Sequence, residues 1–511
     1  MKIAIASSGL GHIVRGIETW AKDTAIALAR RGVDVTLFAG AHLSDPGTCE
    51  PGNPRNQQPT TIVIPCLRRG DAAAKRLSRM APGFAWRWAL TSEYGWEQVS
   101  FWWHLWPILR EEGFDILHVQ DPMLAYWCRK FRALGLVGTR EILAHGTEES
   151  PEFLARFAFV QHLVPWHMEQ TMLALNVKKG SAGVVRDEKG ENVQHSTLNA
   201  QRSSGESNAL DIAPSTLYSS WRVIPNFVDT ECFCPRADKR REIRTKLGVP
   251  ENAFVIGTVA AVKKHHKRID YLIREFAAFA SQRSEVRTQK SEDGKRTQIS
   301  TEDRSEARHP ASDSTPTPRY SDTPILLIAG ARTDESDELI QLANELVPGR
   351  VKTLLDLPHN EMPDVYGAMD VFVIASLFEM MSIAIAEAMA SGLPVLFHSH
   401  PVLEWVVGKD YKSETGNLSV RCGSVCGGKP EDASGNVSET GTLGEVSGGA
   451  CVDMSKDGNL ALALQNITPA WIEEKGRLAR ERALKMFSGG VVIEQIVQMY
   501  RDVLMVRSDN G

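Results

Sequence analysis

Glu379 and Glu387 lie in the stretch LFEMMSIAIAEAMASGLPV, residues 377–395, whose other members are mostly small or apolar. A carboxylate has one main talent at such a place, which is to accept hydrogen bonds, two at a time, from hydroxyl or N–H donors. The local punctuation predicts a helix between the two ends of the stretch. Ser382 can cap its start, Gly392 sits where it would stop, and Pro394 forbids continuation. Glu387 then falls in the second turn and Glu379 in the loop before it. Glutamates among Ala, Ile and Met are either at a wet edge or turned toward a ligand.

The elements that must position them follow an α/β rhythm. KIAIAS reads as a buried strand, SGLGHIVRG as a glycine-rich loop, and residues 17–31 as a helix with Ile17, Trp20, Ala21, Thr24 and Leu28 on one face. VDVTLF, TIVIP, DILHV, EILAH and FVQHLVP are further strand candidates. The pattern restarts after residue 222: WRVIPN, AFVIGTVA, PILLIAG, VKTLLDL, DVFVIAS and PVLFHS read as strands, with RIDYLIREFAAFA and DELIQLANELV as helices between them. Two successive α/β units imply a cleft at the C-terminal ends of their strands, which is where such sheets bind ligands.

A chain of 511 residues is too long for one core, and 42% apolar residues is ordinary for a globular protein. A net charge of −5 gives no global attraction to nucleic acid. No apolar run reaches the ~18 residues of a membrane span, and the opening turns polar too early for a secretory signal. A cytoplasmic protein is expected, with peripheral contact to the inner face of a membrane as a further option. Of the eight cysteines, Cys422 and Cys426 have no second Cys or His pair at zinc spacing, so free thiols are expected.

Three stretches, about 178–218, 282–323 and 412–448, are polar and poor in apolar residues; they read as disordered surface insertions. Residues 84–109, FAWRWALTSEYGWEQVSFWWHLWPIL, concentrate aromatics after a basic run containing Arg68, Arg69, Lys75, Arg76 and Arg79. Such a stripe reads first as helical core. The other reading is an interfacial surface for a lipid or sugar acceptor.

Taken together, the two α/β units, the E-x7-E pair followed by AMASGLPV, and VIPNFVDTECFCP at 223–235 resemble glycosyltransferase family four. The likeness covers 223–408 and, more loosely, 1 to about 176. It implies a GT-B fold, two Rossmann-like domains facing across a deep cleft. Residues 1–222 would form the acceptor-side domain and 223–490 the nucleotide-sugar-binding domain, with 491–511 a helix crossing back to the first. It also implies a retaining transferase that moves a sugar from a nucleoside diphosphate sugar to a hydroxyl of a saccharide or lipid-linked acceptor. No cofactor or metal is expected, and there is no Asp-x-Asp motif. Cell-surface polysaccharide or glycolipid synthesis would be the setting. The alternatives are a nucleotide-sugar epimerase and a non-catalytic nucleotide-sugar-binding protein.

Residue by residue, the resemblance gives Glu387 to the donor ribose, Glu379 to the donor sugar, and the N–H groups of Met381, Ser382 and Ile383 to the pyrophosphate. The glycine usual after the first glutamate is Met380 here. In GTVAAVKKHHKRIDYLIREF, Lys267 matches the family's diphosphate lysine, and Lys263 or Lys264 would stand in for an absent arginine. Gly11 and Gly16 match the glycine loop that lets the backbone reach the donor phosphate, with Arg15 in place of one glycine. His145, ending LAH before a glycine, would lie near the reacting centre, and His118 and Asp121 of DILHVQDP on the acceptor side. Asn226 and Asp229 read as hinge and turn residues.

Overall fold

The computed structural model describes residues 1–13, 16–42, 58–180, 220–283, 323–411 and 443–506. Two seven-stranded sheets account for the α/β rhythm. The first runs β3 (Thr60–Val63), β2 (Asp34–Ala39), β1 (Lys2–Ser7), β4 (Ile116–Val119), β5 (Arg140–His145), β6 (Val160–His162) and β7 (Arg222–Val223). All neighbours are parallel. The second runs β10 (Val351–Leu355), β9 (Ile325–Gly330), β8 (Val255–Val259), β11 (Val371–Ile374), β12 (Val395–His398), β14 (Gly449–Val452) and β13 (Gly444–Val446). Only β13 is antiparallel to its neighbour.

Parallel strands are covered on both faces, which is why most of these read as unbroken apolar runs. Two side-chain layers flank each sheet. In the first domain one layer is built by Phe38, Phe101, Trp102, Leu117 and Phe157, and the other by Ile3, Ile5, Trp20, Leu28 and Ile142. The helix Gly489–Met505 adds Ile493, Ile496, Tyr500 and Val503 to the second of these layers, so it packs on the first domain. In the second domain Arg244 is buried and ties the sheet's lower edge together. It donates to Asp370 Oδ2 at 2.8 Å and to the carbonyls of Glu251 and Ala253 at 2.6 and 2.8 Å.

Three expectations are corrected. WRVIPN does not open the second domain: Arg222–Val223 pairs with Gln161 and His162 and completes the first sheet. FVQHLVP gives a strand of only three residues, because Pro165 starts the helix Pro165–Gly180. The expected insertions at 178–218, 282–323 and 412–448 lie largely outside the described residues. Residues 444–446, however, are a strand, held by pairing with Gly449–Cys451.

The aromatic stretch divides. Ser92 accepts from the Gly95 N–H to cap the helix Glu93–Glu112, which sends Phe101, Trp102, Leu105 and Leu109 into the core. The preceding 3-10 turn, Gly83–Trp88, leaves Phe84, Trp86 and Trp88 in solvent.

Candidate functional site

The site is assembled from loops at the C-terminal ends of both sheets. After β1 the chain turns through Gly11, at φ 96°, where a Cβ would come within 2.4 Å of the Ala41 carbonyl oxygen. Only glycine fits that close approach. Residues 14 and 15, and with them Arg15, lie outside the described residues. The helix Gly16–Arg30 then begins opposite the helix Ile383–Ala390 of the second domain, and a Cβ on Gly16 would lie 3.9 Å from Ile383 Cδ1. The glycine loop and the glutamate-bearing helix therefore face each other across the cleft.

That helix starts as expected, with Ser382 in an extended conformation at the N-cap, but the Ser382 side chain makes no capping bond. The expected hydroxyl cap is absent, so the first turn offers N–H groups without competition from that side chain. Met381 is fixed beneath it, its sulfur accepting from the Asn226 N–H at 3.1 Å. Asp229 is a turn residue: its Oδ1 accepts from the N–H groups of Glu231 and Cys232 at 3.0 and 3.1 Å.

Glu387 is buried. Tyr366 donates to its Oε2 at 2.6 Å, and His359 Nε2 lies 3.8 Å from its Oε1. Burial pushes its pKa up to about 8, a shift opposed by the Tyr366 hydrogen bond and reinforced by the charge of Asp23 on the first domain's helix. Asp23 is itself raised to about 7, mainly by burial. The sequence reading takes Glu387 as an ionised acceptor; burial in the folded protein favours its neutral form. Neither Tyr366 nor Asp23 carries a motif that sequence reasoning could have used.

Lys267 and Glu379 form a direct ion pair. The lysine is displayed by an unusual loop in which His266 and Arg268 both adopt left-handed φ, 69° and 51°. Side-chain residues seldom pay that steric penalty outside functional loops. The loop is pinned by Arg268, which donates to the Met454 carbonyl at 2.6 Å and stacks over Tyr271. Lys264 is turned away, bonded to Glu338 by its ammonium and to Glu335 by its N–H. Lys263 stays half-buried, and its charge acts on His266 beside the Lys267–Glu379 pair.

His145 ends β5 in a cluster of histidines. Its Nδ1 is 3.1 Å from His162 Nδ1, its ring meets His167 edge-on, and its Nε2 is 3.7 Å from Glu149 Oε2. Burial lowers His145 to about 3 and His167 to about 4, so both are neutral, and it raises Glu149 to about 7. His167 also meets the Phe378 ring, bringing the cluster against the loop that carries Glu379. His162 and His167 were not singled out from sequence; two histidines within an apolar run, HLVPWH, were the available signal.

The two acceptor-side expectations part company. Asp121 is at the strand ends, accepting from the Ser8 N–H at 2.8 Å and from the Tyr94 hydroxyl, and burial raises it to about 6. Beside it Glu97 accepts from Ser8 Oγ and Arg69 and contacts His12 Nε2 at 3.0 Å, while Arg69 also reaches Glu18. His118 is not in this group. It is fully buried within β4, with its Nδ1 2.8 Å from the Tyr500 hydroxyl and its ring against Trp20. It is a core residue that receives the returning helix.

Among the described residues no group of three or more His, Cys, Asp or Glu is placed to hold a metal ion. Cys422 and Cys426 lie outside them.

Two α/β domains, each with a seven-stranded, mostly parallel sheet, make up a GT-B fold. Residues 14–148 match the profile of Glycosyltransferase Family 4, and residues 319–423 match that of Glycosyl transferases group 1. The chain is a family-four-like glycosyltransferase. No curated protein matches the sequence. Among solved structures, sucrose-phosphate synthase from Thermosynechococcus elongatus is similar at 16% identity and TM-score 0.60, over 99% of this chain and 100% of that one. HepE from Anabaena, in complex with UDP, is similar at 14% identity and TM-score 0.55, over 98% and 100%. A UDP-forming trehalose-phosphate synthase from Burkholderia vietnamiensis is similar at 12% identity and TM-score 0.54, over 100% and 99%.

Proposed function

We propose that this enzyme transfers a sugar, with retention at the anomeric carbon, from a nucleoside diphosphate sugar to a hydroxyl acceptor in cell-surface polysaccharide or glycolipid synthesis. The observation that carries the reading is the approach of the glycine loop to the start of the Ile383–Ala390 helix, with the Lys267–Glu379 pair in the same cleft. The similar HepE structures hold UDP and UDP-glucose, which makes a uridine donor the first to test.

In this reading the diphosphate rests on the N–H groups of Met381, Ser382 and Ile383 and meets the ammonium groups of Lys267 and Lys263. Glu387 accepts from the ribose hydroxyls and Glu379 from the donor sugar. The bond from the anomeric carbon to the diphosphate oxygen breaks, and its electron pair leaves with that oxygen. Positive charge developing on the sugar ring and negative charge on the leaving group are met by groups already in place. The acceptor oxygen bonds on the same face, and its proton passes to the departing phosphate. His145, held neutral, lies beside the loop that carries Glu379.

The test is to follow nucleoside diphosphate release from a panel of donors, with Glu387→Ala alongside. Release from one donor that the variant loses supports the assignment. Thermal stabilisation by a donor without release, with cell extract supplied as acceptor, would replace transfer by binding alone.

A further inference from the structure

The rim of the first domain has a surface that the transfer reaction does not use. The helix Ala72–Met80 carries Lys75, Arg76 and Arg79 and no acid, and all three cations are exposed. It runs directly into the turn Gly83–Trp88, where Phe84, Trp86 and Trp88 are 63, 54 and 38% exposed, beside an exposed Met80. Phe84 and Trp88 brace each other edge-on, with ring centroids 6.3 Å apart. Burial normally removes side chains of this size from water, and a cluster of them at one turn marks a surface that is covered in use. The nearby carboxylates are engaged: Asp71 accepts from the Arg68 N–H at 3.2 Å, and Glu93 from the Gly70 N–H at 2.9 Å.

This surface is joined to the acceptor side of the cleft. Ala89, the residue after the aromatic turn, lines an apolar cavity of about 170 Å³ together with Tyr94, Met123, Phe153 and Glu149. Tyr94 bonds Asp121, and Glu149 lies 3.7 Å from His145. An apolar recess thus lies between the residue that follows the aromatic turn and the group of residues expected at the reacting centre.

We propose that Lys75, Arg76 and Arg79 with Phe84, Trp86 and Trp88 seat the enzyme on an anionic bilayer surface, presenting the cleft to an acceptor whose apolar portion stays in the membrane. Aromatic rings of this kind settle at the boundary between headgroups and acyl chains, and cations beside them meet the lipid phosphates. The charge pattern selects this occupant over a neutral apolar partner. The proposal rests on the transferase reading for the identity of the acceptor, but the docking itself does not.

The test is sedimentation of the full chain with vesicles of mixed phosphatidylglycerol and phosphatidylcholine, against pure phosphatidylcholine. Binding to the mixed vesicles, reduced by salt and by at least about tenfold in Lys75→Glu/Arg76→Glu/Arg79→Glu, is expected. Phe84→Ser/Trp86→Ser/Trp88→Ser should also lower binding by about tenfold, with far-ultraviolet circular dichroism and release of nucleoside diphosphate from soluble donor both unchanged. No binding to either vesicle, or binding equal in both triple variants and the parent, would overturn the proposal. So would a dimer in light scattering that the aromatic variant converts to monomer, which would assign the patch to a second copy of the chain. Vesicle binding without any donor turnover would retain the docking surface and remove the transferase reading.

Discussion

Tyr366 points its hydroxyl at Glu387 from the neighbouring helix, at 2.6 Å, and the charge of Asp23 on the first domain reaches the same carboxyl. Burial favours the neutral acid, against the pull of the tyrosine hydroxyl, which favours the carboxylate. Its folded pKa of about 8 exceeds its ordinary value of 4.5, so the folded protein favours the protonated form. The contribution to stability is complete below about 4.5 and is lost as pH rises toward 8, because the unfolded chain ionises freely in that window. Ribose hydroxyls would supply new donors to the carboxylate and draw it into its ionised form. Donor affinity should therefore rise between pH 6.5 and 8. Isothermal titration at several pH values checks this, and Glu387→Gln should flatten both the affinity and the stability profile.

Lys267→Ala should lower the rate of nucleoside diphosphate release by about 10²-fold or more, because it removes charge from where the leaving group develops it. Lys263→Ala should cost less, and Lys264→Ala should be close to neutral, since its ammonium is committed to Glu338 on the protein surface. Steady-state kinetics of the three variants with one donor gives the ranking. Equal losses for Lys263 and Lys264 would contradict the loop geometry.

Asp370 holds Arg244 from inside the second domain while also accepting from Arg240 and the Val255 N–H. Removing one side of a buried pair costs about 3–5 kcal/mol when the other charge is left alone, and less here because Arg240 still pairs with Asp370. Arg244→Met should accordingly lower the urea midpoint substantially. Adding Asp370→Leu should not recover the loss, because it also takes the partner from Arg240 and from the buried Val255 N–H. Unfolding curves of the single and double variants measure this.

The buried histidines of the first domain contribute stability that acid removes. His118 is depressed to about 3 and His145 to about 3 by burial. The unfolded chain takes up protons on these groups below about 6.5, and the folded one does not until about 3, so stability is lost as pH falls through that window. Asp23, Glu149 and Asp121, raised by burial, act in the opposite direction over the same range, so the histidine part is read as a difference: in thermal denaturation at pH 7.5 and 5, His118→Gln should gain stability relative to the parent as the pH falls. Tyr500→Phe should cost about 1–2 kcal/mol at both pH values, since it strips the buried His118 Nδ1 of its partner.

Much of this architecture is visible in the sequence because local pattern and global fold agree. The strands are short apolar runs, the helices are amphipathic, and the Glu-bearing helix announces both its ends. The GT-B fold followed from that rhythm and the motifs together. What was hidden depends on residues distant in the chain. His118 and Asp121 belong to one motif, yet the three-residue step between them carries one into the core and the other to the strand end. Tyr366 stands 21 positions before the acid it holds, in a stretch with no feature beyond helical amphipathicity. Lys263 and Lys264 are indistinguishable as neighbours in sequence, and only Glu335 and Glu338 on another helix separate them. The 444–446 strand escaped because Gly444, Glu445 and Val446 offer no run of their own; it exists through its hairpin with Gly449–Val452.

The return of helix Gly489–Met505 to the first domain also bears on the order of events at the ribosome. Val492, Ile493, Ile496, Tyr500 and Val503 cover the layer formed by Ile3, Ile5 and Trp20, and Tyr500 is the partner of His118. During synthesis the first sheet emerges long before that cover exists, leaving one apolar face bare while the whole second domain is made. The amino-terminal half must therefore wait, partly open, for residues 489–505 to leave the exit tunnel. Chains stalled or cut before that point should expose the same face to chaperones and proteases.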